Sequence, residues 1–138
     1  MSDFFGLEIP FAEYCGIEAL SRENGLCRIR VSLQKHHENS LGMGHGGVIL
    51  TLLDIALGAA ARSVAADNAR VMTIDMHAAF LSRARGKLTA EGRVVRNGKS
   101  LIFCEGEVKN ADGALIAKAT GLFKPIERGE TPIGGGDG

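Results

Sequence analysis

The chain has 138 residues, 45% of them hydrophobic and 23% charged, which suits one soluble globular domain and excludes a disordered chain. Its 16 Lys and Arg balance 16 Asp and Glu, so bulk electrostatics argue against nucleic acid as the main partner. Cys15, Cys27 and Cys104 are odd in number without C-x-x-C spacing, and the start M-S-D-F-F-G lacks the pattern of a signal peptide. Both features lead us to expect reduced core thiols in a cytoplasmic protein.

Residues 1–13 carry a short apolar piece, Phe4 to Phe11, punctuated by Pro10; we expect one turn of helix or a covering arm. Residues 14–20 and 26–33 read as strands joined at Glu23-Asn24-Gly25, since Asn-Gly is a hairpin signal. In the second strand Cys27, Ile29, Val31 and Leu33 alternate with Leu26, Arg28, Arg30 and Ser32, the period of a half-buried strand. A loop over 34–45 then opens into an apolar segment. From Val48 to Ala61 the only charged residue is Asp54. That segment is long enough for a globular helix and, with a charge in it, too short to span a bilayer. Its apolar residues cover every face, which predicts a central helix wrapped by other elements. Arg62 closes it with a cation at the negative end.

After a polar turn at Ala66-Asp67-Asn68, strands are predicted from Val71 to Leu81, Lys87 to Val95, Ser100 to Lys109 and Ala114 to Phe123. Asn97-Gly98 and Ala111-Asp112-Gly113 are the turns between the last three. Pro125 is expected to end the final strand, and the tail 126–138 reads as disordered. The order β-β-α-β-β-β-β, with no internal repeat or linker, predicts one α+β domain over 1–138. An antiparallel sheet curled around the single helix fits it.

Function concentrates where the loop meets the helix. A lone carboxylate in an apolar helix is expensive to bury, so either a hydrogen-bond network satisfies Asp54 or the chemistry requires it. At the helix start, the first N–H groups lack intrahelical partners, and Gly46 and Gly47 carry no side chains to obstruct a ligand. The Gly46 N–H is a candidate donor to a developing oxyanion. Eight residues of helix separate Gly46 from Asp54 by about 12 Å along the axis. A reacting carbonyl cannot touch both from one copy. Two antiparallel helices across a two-fold axis would bring Gly46 of one subunit to Asp54 of the other.

The residues Asn39, Gly42, His45-Gly46-Gly47, Leu53-Asp54 and Gly58 resemble the N-x-x-G-x-x-H-G-G…L-x-D…G pattern of hotdog-fold acyl-CoA thioesterases, in the phenylacetate-pathway, PaaI-type branch. The resemblance runs from about residue 14 to residue 124 and implies a hotdog fold in a homodimer or dimer of dimers. It assigns the oxyanion donor to Gly46 and the base or nucleophile to Asp54, which should be ionised at neutral pH. Asn39 would place the carboxylate or its water, His45 would orient the loop or thioester, and Thr73 would supply a strand hydroxyl. It implies coenzyme A contacts in 80–85 and 96–101, namely Arg83, Arg85, Arg96, Asn97, Gly98, Lys99 and Ser100. The expected substrate is an acyl- or aryl-acyl-CoA, with no separate cofactor, no metal, no nucleic acid and no membrane.

Each assignment has a plainer reading. Asp54 could be a capped structural carboxylate, Asn39 a residue bonding its own loop, His45 a loop brace, and Thr73 a β-branched strand residue. His36, His37, His45 and His77 match no common zinc spacing. Arg83, Arg85, Lys87, Arg93, Arg96 and Lys99 form a basic stretch that is either a solvated face or a landing site for phosphates. Gly58 to Ala61 either leaves room for a bulky acyl group or permits close packing. At the level of function, a non-catalytic acyl-CoA sensor and a hydratase or dehydratase on the same architecture are the alternatives.

Overall fold

An apolar helix longer than anything else in the chain sets the architecture. The computed structural model describes residues 4–66 and 69–126. Its elements are α1 (Pro10–Tyr14), β1 (Glu18–Glu23), β2 (Leu26–Ser32), a 3-10 turn (Lys35–His37), α2 (Gly46–Val64), β3 (Arg70–Phe80), β4 (Lys87–Asn97), β5 (Ile102–Asn110) and β6 (Leu115–Ile126). The six strands form one antiparallel sheet in the order β1-β2-β4-β5-β6-β3. The sheet curls so that every strand touches α2. This is the hotdog fold expected from the sequence.

Alternation decides which face each strand turns to the helix. Cys27, Ile29 and Val31 on β2, Leu88 and Ala90 on β4, and Cys104 and Val108 on β5 are buried against α2 residues such as Leu52, Leu53, Ala56 and Leu57. The outward side of β4 and β5 carries Arg93, whose Nε donates to Glu105 at 2.9 Å, with Glu91 and Glu107 nearby. Such half-exposed pairs contribute at most about 1 kcal/mol each.

Gly92 on β4 pairs with Gly106 on β5, directly under α2. A Cβ on Gly92 would sit 2.6 Å from the Ala56 backbone, and one on Gly106 would press on Leu57 and the Glu91 carbonyl. The missing side chains let the helix backbone lie close on the sheet. Gly106→Val is therefore expected to destabilise the fold by about 3 kcal/mol or more through overpacking; a denaturation midpoint equal to wild type would contradict this packing. Ala59, Ala60 and Ala61 are buried in the same layer, so this stretch serves close packing.

Several boundaries moved. The strand expected over 14–20 is displaced, because Pro10 at the first helical position pre-sets φ for α1, and β1 begins at Glu18. The Asn24-Gly25 hairpin holds, with φ of 47° and 84°. The β4–β5 hairpin expected at Asn97-Gly98 also forms, with its loop shifted to 98–101: Asn97 still pairs with Ile102, and Gly98 N–H donates to the Leu101 carbonyl at 3.0 Å. At the β5–β6 turn, Asn110 Oδ1 accepts from Asp112 and Ala114. β6 runs through Pro125 to Ile126 instead of ending there. Its β5 neighbour stops opposite Phe123, so the proline removes no bond on that side. Asp67, Asn68 and the tail beyond Ile126 lie outside the described residues.

At 19 residues α2 exceeds the segment expected, and by length and composition alone it could cross a bilayer. Half of it is buried against this chain's own sheet. The expectation that it is wrapped all round is also corrected. Val48, Ile49, Leu52, Leu53, Ala56, Leu57, Ala59, Ala60 and Ala61 are buried, but Gly47, Leu50, Thr51, Asp54, Ile55 and Gly58 are not. On a helical wheel these form one bare arc, because a single six-stranded sheet covers only one side of a helix.

The three thiols are free and buried. Burial pushes Cys27 and Cys104 up from 9.0 to about 12. Unfolding above pH 9 thus releases protons that the folded state retains. Stability from these thiols is complete below about pH 9 and is lost as pH rises toward 12. The expected result is an alkaline fall in melting temperature between those limits, reduced in a Cys27→Ala/Cys104→Ala variant.

Candidate active site at the start of the central helix

The loop before α2 is fastened at each step. Asn39 Oδ1 accepts from Leu41 N–H at 2.8 Å and Met43 N–H at 3.2 Å, as an Asx-type turn does. Gly44 N–H donates to the Ala84 carbonyl and His45 N–H to the His37 carbonyl, both at 2.8 Å. His45 is the N-cap of α2, and its Nδ1 accepts from Gly47 N–H at 2.7 Å. Val48 N–H is taken by the His45 carbonyl. Among the described residues nothing accepts from Gly46 N–H. The first donor of the helix is left free at its positive end.

That donor opens onto a cleft of about 370 Å³, lined by Asn39, Gly46, Ile49, Phe80, Ser82 and Arg83 among others. The Phe80 ring lies 3.6 Å from where a Gly46 Cβ would be. A side chain there would narrow the approach, so the glycine keeps it open. A second hollow of about 200 Å³ lies between α1 and β2, beside His36 and His37, and holds none of the H-G-G residues.

Asp54 is elsewhere. It lies two turns along α2 on the bare arc, half-buried and not enclosed as the sequence suggested. Its Oδ1 accepts from Thr73 Oγ1 at 2.6 Å. Thr73 stands on β3, one of the two edge strands, where the register with β6 slips between Thr73 and Asp75. This bulge leaves Ile74 over and turns the strand beside the carboxylate. The fold therefore joins Asp54 to Thr73, and Asn39 to Gly46 and Arg83, as two separate half-sites in one chain.

The expected coenzyme A contacts also divide. Arg83 and Arg85 lie in the β3–β4 connection; Arg96, Asn97, Gly98, Lys99 and Ser100 lie at the other end of β4. An 11-residue strand holds these ends roughly 33 Å apart, so one chain does not gather them. Arg93 is engaged by three glutamates. Among the described residues no three His, Cys, Asp or Glu side chains cluster as a metal site would need.

One contributor escaped the sequence reading. His37 is 5% exposed and braces the loop, yet a loop has no periodicity to betray a buried residue. Phe80 belongs to the 80–85 segment expected to contact coenzyme A, and its ring lines the cleft beside Gly46.

The geometry, a helix-terminal donor and a strand-held carboxylate on a hotdog fold, agrees with the comparisons. The chain belongs to the thioesterase superfamily, whose profile matches residues 41–117, and is a thioester hydrolase. A Saccharolobus solfataricus protein whose name proposes it as an esterase is 33% identical over 112 residues, 80% of this chain and 79% of its own. The medium/long-chain acyl-CoA thioesterase YigI of Salmonella typhimurium is 25% identical over 139 residues, covering 89% and 90%. Among solved structures, the E. coli PaaI protein from the phenylacetic acid degradation operon superposes with a TM-score of 0.81 at 22% identity, covering 87% and 86%.

Proposed function

We propose that the protein hydrolyses acyl- or aryl-acyl-CoA thioesters at a site shared by two subunits. In this reading, water attacks the thioester carbonyl carbon while Asp54 of one subunit takes its proton. Alternatively, the carboxylate attacks directly and the resulting anhydride is hydrolysed. The carbonyl electron pair moves to oxygen, which Gly46 N–H of the other subunit stabilises. Collapse breaks the C–S bond and releases coenzyme A as the thiol and the acid. Thr73 holds the carboxylate in place, and His45 orders the loop that presents Gly46. Asn39 keeps its carboxamide N–H groups for the ligand, its oxygen being spent on the loop.

The observation that carries this reading is the bare arc of α2, which runs from Gly47 to Gly58 and includes Asp54, with Gly46 just before it and exposed Leu50 midway between Gly46 and Asp54. An antiparallel copy packed through Leu50 pairs each free N–H with the partner's carboxylate. β3 supports the same two-fold arrangement, since it is an edge strand of 11 residues paired on one side only. Unprotected edges of that length invite strand addition. The same pairing would let the two ends of β4 from different subunits serve one coenzyme A, with Arg83 and Arg85 from one and Arg96 to Ser100 from the other. A dimer of dimers and a cytoplasmic location complete the proposal.

The test is release of free thiol from a panel of aliphatic and aryl acyl-CoAs, with binding measured in parallel. Turnover of at least one member is expected. Tight binding without any release would replace the hydrolase by an acyl-CoA sensor.

A further inference from the structure

His37 is the one buried charged or polar residue among the described residues, and neither the oxyanion donor nor the carboxylate explains it. Its Nδ1 accepts from Gln34 N–H at 2.8 Å. That places its proton on Nε2, which donates to the Cys15 carbonyl at 2.7 Å. Cys15 is the residue capping the C-terminus of α1. The His37 carbonyl in turn accepts from His45 N–H at 2.8 Å, and His45 Nδ1 from Gly47 N–H at 2.7 Å. Hydrogen bonds through the His37 ring and backbone and the His45 ring thus link the N-terminal helix to the two residues flanking Gly46.

We infer that His37 is a positioning residue, fixing the direction of the free Gly46 N–H by tying the oxyanion loop to α1 and to the start of the 3-10 turn. The inference rests on the hydrolase reading for its kinetic consequence, but not for its structural one. A side chain that only filled space would need neither nitrogen, whereas both are engaged at short range. Hydrogen-bond donors to a developing charge act through aim, and small misplacements of such groups are costly in rate. The binding cleft touches Asn39 and Arg83 independently of this chain of bonds, so substrate affinity should survive.

The experiment compares His37→Ala and His37→Gln with wild type in kcat, KM and amide hydrogen exchange at His45 and Gly47. His37→Ala is expected to lower kcat by about ten- to a hundredfold with KM within about twofold, and to speed exchange at those two amides while β4 and β5 stay protected. His37→Gln, which keeps one donor and one acceptor, is expected to recover part of the loss. Unchanged kcat and unchanged exchange in His37→Ala would overturn the inference. So would a uniform rise in exchange through the sheet in both variants, which marks a purely structural residue. Should His37→Ala fail to fold, His37→Gln decides by the same two readouts. A wild-type protein that hydrolyses no thioester would sink the hydrolase reading, leaving the exchange at His45 and Gly47 to judge His37 alone.

Discussion

Asp54→Asn is expected to abolish thiol release, with kcat down by about 10²- to 10⁴-fold, while the fold and acyl-CoA binding persist. The substitution keeps the volume and the oxygen that accepts from Thr73 Oγ1, now at 2.6 Å. What disappears is the group able to take a proton or attack, and general bases contribute on that scale. Asp54 lies on the bare arc, so neutralising it removes no core contact. Melting temperature should stay within a few degrees of wild type. Turnover retained by Asp54→Asn would remove Asp54 from the mechanism, whatever else the site does.

Gly46→Pro is the second large effect, with acyl-CoA binding measured beside kcat because a ring at this position also narrows the approach past Phe80. In the proposed reaction the oxyanion donor is a backbone N–H, which ordinary side-chain substitutions leave in place. Proline deletes it. Gly46 is the first residue of α2, the helix position proline tolerates best. The preceding His45 has φ −63° and ψ 140°, the conformation that a following proline favours. The nearest atoms to a new Cβ are Phe80 ring carbons at 3.6 and 3.7 Å, ordinary contact. Helix formation should therefore be preserved while kcat falls by about 10²- to 10³-fold, the loss typical for one oxyanion-hole donor. Wild-type kcat in a folded Gly46→Pro would show that the carbonyl is polarised by another group.

Much of this was legible before any coordinates. Period-two alternation in β2 and the Asn24-Gly25 turn follow from local sterics, and both appear as read. The single long apolar run had to be the helix under the sheet. What the sequence hid was of two kinds. Tertiary covering is one: the α2 composition looks apolar on all sides, but the sheet leaves Leu50 exposed and Ile55 and Gly58 only half covered. Apolar residues on the half-covered arc and those in the core are of the same kinds, so composition does not separate them. Loop hydrogen bonding is the other. Asn39 proves to bond its own loop through Oδ1, the plainer of its two readings, without losing its place in the cleft. His37 was considered only as a metal ligand, because its two backbone partners, Gln34 N–H and the Cys15 carbonyl, leave no mark in the sequence. The basic stretch 83–99 looked like one patch on paper. Strand β4 lies inside it and pulls its two ends to opposite sides of the sheet.

A shared site is tested most directly by mixing two inactive proteins. Gly46→Pro and Asp54→Asn subunits, combined one to one and allowed to exchange, form mixed dimers in half of the population. Each mixed dimer holds one complete site if donor and carboxylate come from different chains, so thiol release should return to about a quarter of the wild-type rate. If the mixture stays as inactive as its two components after exchange is verified, donor and carboxylate do not meet across a subunit boundary.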